Sequence, residues 1–163
     1  MSALQIETGR LKLVPKTLAE VRTAIDEMDA DHRAELSSEW LARLDDAADL
    51  WTLGFAMVHR TTHAIIGSCG FKGPPGADGI VEIAYGVAPH HQSQGYATEA
   101  AEALVAFAFS NDMVRVVRAH TFSDANASTR VLAKCGFQAV GEVIDPEDGL
   151  VWRWETVRST ARC

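Results

Sequence analysis

The chain has 163 residues, of which 47% are hydrophobic and 23% charged, which fits one soluble globular domain spanning residues 1–163 and excludes collagen-like, disordered and disulfide-framework chains. Fifteen Lys and Arg against 22 Asp and Glu leave a net charge of −7, which repels a phosphate backbone, speaks against nucleic acid as a partner, and suits a cationic or amine substrate. Cys69, Cys135 and Cys163 form no spaced pair, no leader precedes Arg10, and the longest apolar run is Ala103 to Phe109, so the expectation is a cytoplasmic protein with free thiols and no membrane span.

In chain order, Leu11 and Leu13 alternate with Lys12 and Val14 up to Pro15, predicting a strand. Thr17 is placed as the N-cap of a helix whose apolar face is Leu18, Val21, Ile25 and Met28, and Leu36, Trp40, Leu41 and Leu44 mark a second helix. Trp51 to Arg60 and Ala64 to Lys72 are rich in β-branched and aromatic residues around Thr61-Thr62-His63, which predicts a hairpin. Another strand, Ile80 to Ala88, follows the Gly/Pro-rich loop 73–79 and stops at Pro89. Ala97, Ala101, Leu104, Val105 and Ala108 recur on one helical face. Val114 to Thr121 reads as a strand, Ala127 to Cys135 as a helix closed by Gly136, and Phe137 to Ile144 and Leu150 to Val157 as two last strands. Three antiparallel candidates followed by strand-helix-strand units predict an α+β, mixed α/β domain. Its core is a single mixed, mostly antiparallel sheet of about seven strands with about four helices on both faces.

The most informative stretch runs from Gly86 to Ala100 at a strand-to-helix junction. The first amides of a helix have no intrahelical partner and lie at the positive end of its dipole, so they suit a pyrophosphate. Gly95 lacks a Cβ and lets an oxygen approach the main chain, and small Ala97 leaves room beside it. A Gln92-x-x-Gly95-x-Ala97 pattern arises in about one random chain in six or seven. Alone it equally describes a plain glycine turn before an amphipathic helix.

With its preceding strand and Val87-x-Pro89, the pattern resembles the acetyl-CoA loop of the GNAT superfamily of N-acetyltransferases. Thr8 to Leu13 resembles that family's first strand, Glu82 to Val87 its fourth, and Ser128 to Phe137 its last helix and following strand. Ala97-Thr98-Glu99-Ala100 and the Ser before Val-Leu-x-Lys-x-Gly-Phe resemble the branch of ribosomal-protein N-terminal acetyltransferases. The resemblance implies an acyl-CoA N-acyltransferase fold in which the fourth and fifth strands splay apart. Acetyl-CoA, the acetyl donor, would then lie between them along the main chain of Tyr85 and Val87, its phosphates on Gln92, Ser93, Gln94, Gly95, Tyr96, Ala97 and Thr98. It further implies the Val87 amide as donor to the acetyl oxygen.

Glu82 is the candidate general base, because it lies on the same strand a few residues before the thioester position; alternation puts it on one face with Ala84 and Gly86. The competing reading is a salt-bridged strand carboxylate. Asn126 and Ser128 open the last helix, where either caps the helix or bonds the cofactor, and Ser128 can protonate the departing sulfur. The family's usual Asn falls at Ala125, one residue before Asn126, whereas Ser128 matches. The Tyr that many members carry two residues before the helix Lys is Leu132 here.

The implied activity is acetyl transfer to a primary amine, with an N-terminal α-amine of a protein or peptide leading and a small amine such as a polyamine or antibiotic beside it. An acyl-CoA sensor without turnover is the alternative that Ala125 and Leu132 suggest. Phosphate-loop, dinucleotide and serine-hydrolase motifs do not occur. His59 and His63 lack a Cys or carboxylate partner, so no metal is expected. His90 and His91 read as loop residues over the cofactor, and Trp152 and Trp154 as core of the final strand. The oligomeric state stays open, with an exposed C-terminal edge strand as one surface on which a homodimer could form.

Overall fold

The computed structural model describes residues 5–34, 36, 38–46, 49–122, 127–145 and 149–158. Its strands are β1 (Ile6–Glu7), β2 (Leu11–Pro15), β3 (Phe55–His59), β4 (Ile65–Phe71), β5 (Ile80–Val87), β6 (Val116–Thr121), β7 (Gln138–Asp145) and β8 (Gly149–Val157). The helices are α1 (Leu18–Glu27), α2 (Ala30–Ala34), α3 (Ser38–Asp46), α4 (Leu50–Leu53), α5 (Tyr96–Phe109) and α6 (Ala127–Lys134), with a 3₁₀ turn at Pro89–His91. One sheet orders the strands β1-β2-β3-β4-β5-β6-β8-β7. All neighbours run antiparallel except β5 and β6.

This is the mixed α/β architecture expected from the sequence, with differences of physical origin. The described residues form eight strands and six α-helices, against about seven and about four expected. The extra strand β1 is two residues long, too short to show alternation. Thr17 caps α1 as expected, in a reciprocal capping box with Glu20, but Met28 leaves the helix with extended backbone angles and a separate short helix, α2, follows. Trp51 is helical rather than β. The Asp49 carboxylate accepts from the Thr52 amide at 3.2 Å and caps α4, and Gly54, at φ 78°, ends it before β3 begins. The Trp51 ring packs on Phe71 and Phe107, with centroids 4.6 and 5.6 Å away. The sheet edge at the C-terminal end is β7, while the final strand β8 lies between β6 and β7.

The core lies between α5 and the sheet. Leu11, Leu13, Phe55, Met57, Val81, Ile83, Val117 and Ala119 pack with Tyr96, Ala100, Ala101, Leu104 and Ala108 of α5 and Leu132 of α6. Alanines on the inner face of α5 let the helix backbone come close to the strands. This fixes where α5 begins relative to the end of β5, and so where the junction loop lies.

At that end β4 and β5 approach closely. A Cβ on Gly67 would stand 2.1 Å from the Gly86 carbonyl oxygen, whereas one on Gly86 would meet nothing within 4 Å. Gly67→Ala is therefore expected to destabilise the fold by about 2 kcal/mol or more, and Gly86→Ala by less than about 1 kcal/mol, in urea unfolding. Equal losses would show that this strand contact is not tight.

Candidate active site

β5 and β6 are paired over three positions only, Ile80 with Val116, Val81 with Val117 and Glu82 with Arg118. Beyond them β5 stays on β4 as far as Val87 opposite Gly67, while β6 stays on β8 as far as Thr121 opposite Trp152. The strands therefore part after Glu82. The Lys72 amide donates to the Glu82 carbonyl at 2.9 Å and the Ala88 amide to the Ile66 carbonyl at 2.8 Å. Antiparallel alternation between those bonds turns the main-chain groups of even-numbered residues toward β4. It turns those of Tyr85 and Val87, past the last β5–β6 pairing, the other way, into the gap. The gap is a cavity of about 340 Å³ lined by Lys72, Glu82, Tyr85, His120 and Ser128 among others.

The junction loop closes over the end of β5. Gln92 Nε2 donates to the Val87 carbonyl at 3.0 Å, so the side chain of Gln92 ties the loop down instead of pointing away. Ser93, at φ 64°, and Gly95, at φ 87°, turn the chain through left-handed backbone angles into α5. No described residue accepts from the amides of Gln94, Gly95, Tyr96, Ala97 and Thr98; the first bond of the helix is Glu99 amide to Gly95 carbonyl, at 3.1 Å. Five donors at the positive end of a 14-residue helix are thus available to an anion.

A cation adds to them. A Cβ on Gly95 would lie 3.0 Å from Arg10 Nη2, so the guanidinium lies directly beside the loop. Arg10 is held 4.4 Å over the Tyr96 ring and paired through Nε with Glu99, which also accepts from the Thr8 hydroxyl at 2.7 Å. Burial raises the Glu99 carboxyl, but the hydrogen bonds from Thr8 and Arg10 outweigh it and keep it below its ordinary value. The Tyr96 ring is buried, so only its amide serves the loop.

On the other side of the gap, Glu82 Oε2 is 2.9 Å from His120 Nδ1 and 3.0 Å from Lys72 Nζ. His120 Nε2 accepts from Arg153 Nε at 3.1 Å. That pattern places the imidazole proton on Nδ1, donating to Glu82. Burial raises the Glu82 carboxyl, yet the His120 hydrogen bond and the Lys72 ammonium more than offset it, so it stays below its ordinary value and ionised at neutral pH. Tyr85 reaches across the gap, its hydroxyl 3.4 Å from the Ser128 carbonyl oxygen. Burial pushes this phenol up to about 12, so it keeps its proton.

Of the residues singled out in the sequence, Glu82, Tyr85 and Ser128 meet at the gap, Val87 lies where β5 enters the loop, and Gln92 to Thr98 form the loop and helix start. Asn126 lies outside the described residues. Leu132, in the place of a family tyrosine, is fully buried in the core. His59 Nδ1 accepts from the amides of Thr61 and Thr62 at 3.1 and 3.2 Å, which occupies it in the hairpin turn. Trp154 Nε1 donates to the Thr121 hydroxyl at 3.1 Å, fixing β8 to β6. Sequence reasoning missed Lys72, His120 and Arg153, which converge on Glu82 only through the registers of β5, β6 and β8; alternation along each strand was legible, the pairings between them were not.

A sheet divided at the end of its one parallel pair, facing a helix start whose amides are free, defines the acyl-CoA N-acyltransferase class of fold. The chain belongs to the acetyltransferase (GNAT) domain family, whose family model matches residues 8–138. The uncharacterized N-acetyltransferase YjdG of Bacillus subtilis is 33% identical over 89 residues, 55% of this chain and 51% of that one. The match thus spans about half the length of this relative. A Vibrio cholerae spermidine N-acetyltransferase chimera superposes with a TM-score of 0.68 at 15% identity, over 91% of this chain and 96% of that one. An aminoglycoside acetyltransferase solved with coenzyme A does so at 0.63 and 17% identity, over 91% and 95%. These likenesses show a shared fold. No helix among the described residues is long and apolar enough to cross a membrane.

The Glu82 network has a stability consequence with a definite sign. A carboxyl held below its ordinary 4.5 in the folded state contributes fully above that value and loses its contribution as pH falls through the lowered one. Glu82→Gln is expected to be about 1.5 to 3 kcal/mol less stable at pH 7, with the difference closing below pH 4.5 in denaturant titrations at a series of pH values. A pH-independent difference would place the effect in packing alone.

Proposed function

We propose that the protein transfers the acetyl group of acetyl-CoA to a primary amine by direct attack, without a covalent enzyme intermediate. The observation that carries this reading is the continuity of free main-chain donors, from Tyr85 and Val87 in the strand gap to the helix-start amides. The group to be held is a long polar arm ending in a pyrophosphate. The donor set fits it: amides along the gap for the arm, and the free amides of Gln94, Gly95, Tyr96, Ala97 and Thr98 for the phosphates, beside Gln92 and Ser93 of the same loop, with no Cβ at Gly95.

In this reading the Val87 amide donates to the acetyl oxygen, where negative charge develops as the amine adds. The amine lone pair forms the new C–N bond while the C–S bond breaks. Glu82 takes the amine proton, directly or through water, and the Ser128 hydroxyl donates to the leaving sulfur. The ionised state of Glu82 supports the base role, and the Lys72 and His120 bonds weaken it as a base, which favours a relay through water. Asn126, which precedes α6 in the sequence, is in this reading a further cofactor contact.

The leading acceptor is an N-terminal α-amine, on the branch resemblance of the helix motifs. A small-molecule amine is the alternative, and the acceptors named for the fold neighbours do not transfer at such low identity. The free thiols of Cys69 and Cys135 support a cytoplasmic setting, and the edge strand β7 is the surface on which a homodimer would form.

The test is release of free thiol from acetyl-CoA with a panel of amines and peptides. Amine-dependent release is expected; acetyl-CoA binding without release for any amine would point to a sensor. Gly95→Ala, which forces an alanine to φ 87°, is expected to raise the KM for acetyl-CoA roughly tenfold. Glu82→Gln is expected to lower kcat/KM most at low pH, where unprotonated amine is scarce, and an unchanged pH profile would remove Glu82 from the base role.

A further inference from the structure

We propose that the acceptor amine carries a carboxylate within a few bonds of its reacting nitrogen, and that Arg153 binds this carboxylate. The inference rests on the acetyltransferase reading above and specifies its acceptor.

Arg153 lies on β8 opposite His120 of β6. Its neighbours on the same face, His120 across the sheet and Val151 along the strand, both line the gap. Nε donates to His120 Nε2, and among the described residues no acceptor pairs with the terminal guanidinium nitrogens. Arg118, one step along the same face of β6, is by contrast paired with a carboxylate, its Nη2 and Nε at 2.7 and 2.8 Å from Glu155 Oε2. A partly buried guanidinium with a vacant fork is chemically suited to a planar anion, which it grips through two parallel hydrogen bonds.

Local charge agrees. Lys72 and Arg118 are each ion-paired, with Glu82 and Glu155, whereas Arg153 bonds His120 and pairs with no carboxylate among the described residues, although the chain as a whole carries −7. A polyamine or aminoglycoside would bring a further ammonium group against Arg153 and be disfavoured by repulsion. An amine with a nearby carboxylate brings one charge of each sign, matched to Glu82 and Arg153.

The spacing is set by His120. Its ring is buried, with the side chain 5% exposed, and it bonds Glu82 on one nitrogen and Arg153 on the other. Base and guanidinium are thus held one imidazole apart. A free amino acid spans that interval, and so does a peptide whose first or second residue is Asp or Glu. The chemistry is common to both sources.

The experiment measures kcat/KM for matched acceptors: amino acids against their amides, peptides beginning with Asp or Glu against those beginning with Asn or Gln, and spermidine. Carboxylate-bearing acceptors are expected to exceed their neutral counterparts by roughly tenfold or more. Arg153→Gln is expected to shrink that ratio about tenfold, mainly through the acceptor KM, and Arg153→Lys to restore part of it. The Kd for CoA and the unfolding midpoint of each variant report whether the fold is intact. Amino acids outperforming peptides would assign a small-molecule source; the reverse would assign a protein terminus. Neutral amides or spermidine used as well as the carboxylates, or a ratio untouched by Arg153→Gln in a folded protein, would overturn the proposal and leave the acetyltransferase reading standing. No turnover with any amine would overturn both.

Discussion

The parting of β5 from β6 after Glu82 is the constraint on which the rest of the molecule depends. A parallel pair inside a sheet normally satisfies every main-chain donor and acceptor along its length. Here, past Glu82, each strand is held by its outer neighbour, β5 by β4 and β6 by β8, so both keep their shape while their shared edge opens. The cost is a row of unpaired peptide groups, each unfavourable if buried without a partner. A bound polar arm can satisfy that row, and the fold therefore stores binding capacity as an unfinished ladder.

The same ladder sets the position of the loop. Gln92 bonds the last carbonyl of β5, and Arg10, Thr8 and Glu99 join the β1–β2 turn to the first turn of α5. The helix start is thus tied to the sheet at two places, so its amides are fixed relative to those of Tyr85 and Val87 before any ligand arrives. Such preorganisation matters because ordering a loop upon binding would cost part of the interaction energy.

Much of this was legible in the sequence, and what escaped has a common reason. The Thr17 capping box, the Pro89 stop, α5 and the alternation placing Glu82 with Ala84 and Gly86 are local, governed by contacts within a few residues. Trp51 was misread as strand because an aromatic and β-branched run carries the same composition in a short helix packed on the core; the signal against it was Asp49, a helix cap, with Gly54 closing the turn. The convergence of Lys72, Glu82, His120 and Arg153 joins the residue after β4 to one residue each of β5, β6 and β8. No local pattern encodes it, because register between non-adjacent strands depends on the whole sheet.

Net charge and the groups at the site act over different distances. A net charge of −7 acts on an approaching ligand over distances that salt screens within about 8 Å. At the site, groups within contact distance act directly: Lys72 and His120 on Glu82, and Arg10 and the helix-start amides at the loop. An anionic donor such as the acetyl-CoA proposed above would meet repulsion from the surface at large and attraction at the loop. Binding should then strengthen slightly as salt masks the distant acidic surface, and weaken only once the ionic strength reaches the short-range contacts of Arg10 and the loop amides. The acidity of the chain thus acts on long-range approach, while short-range contact at the site depends on the groups that the sheet register brings together.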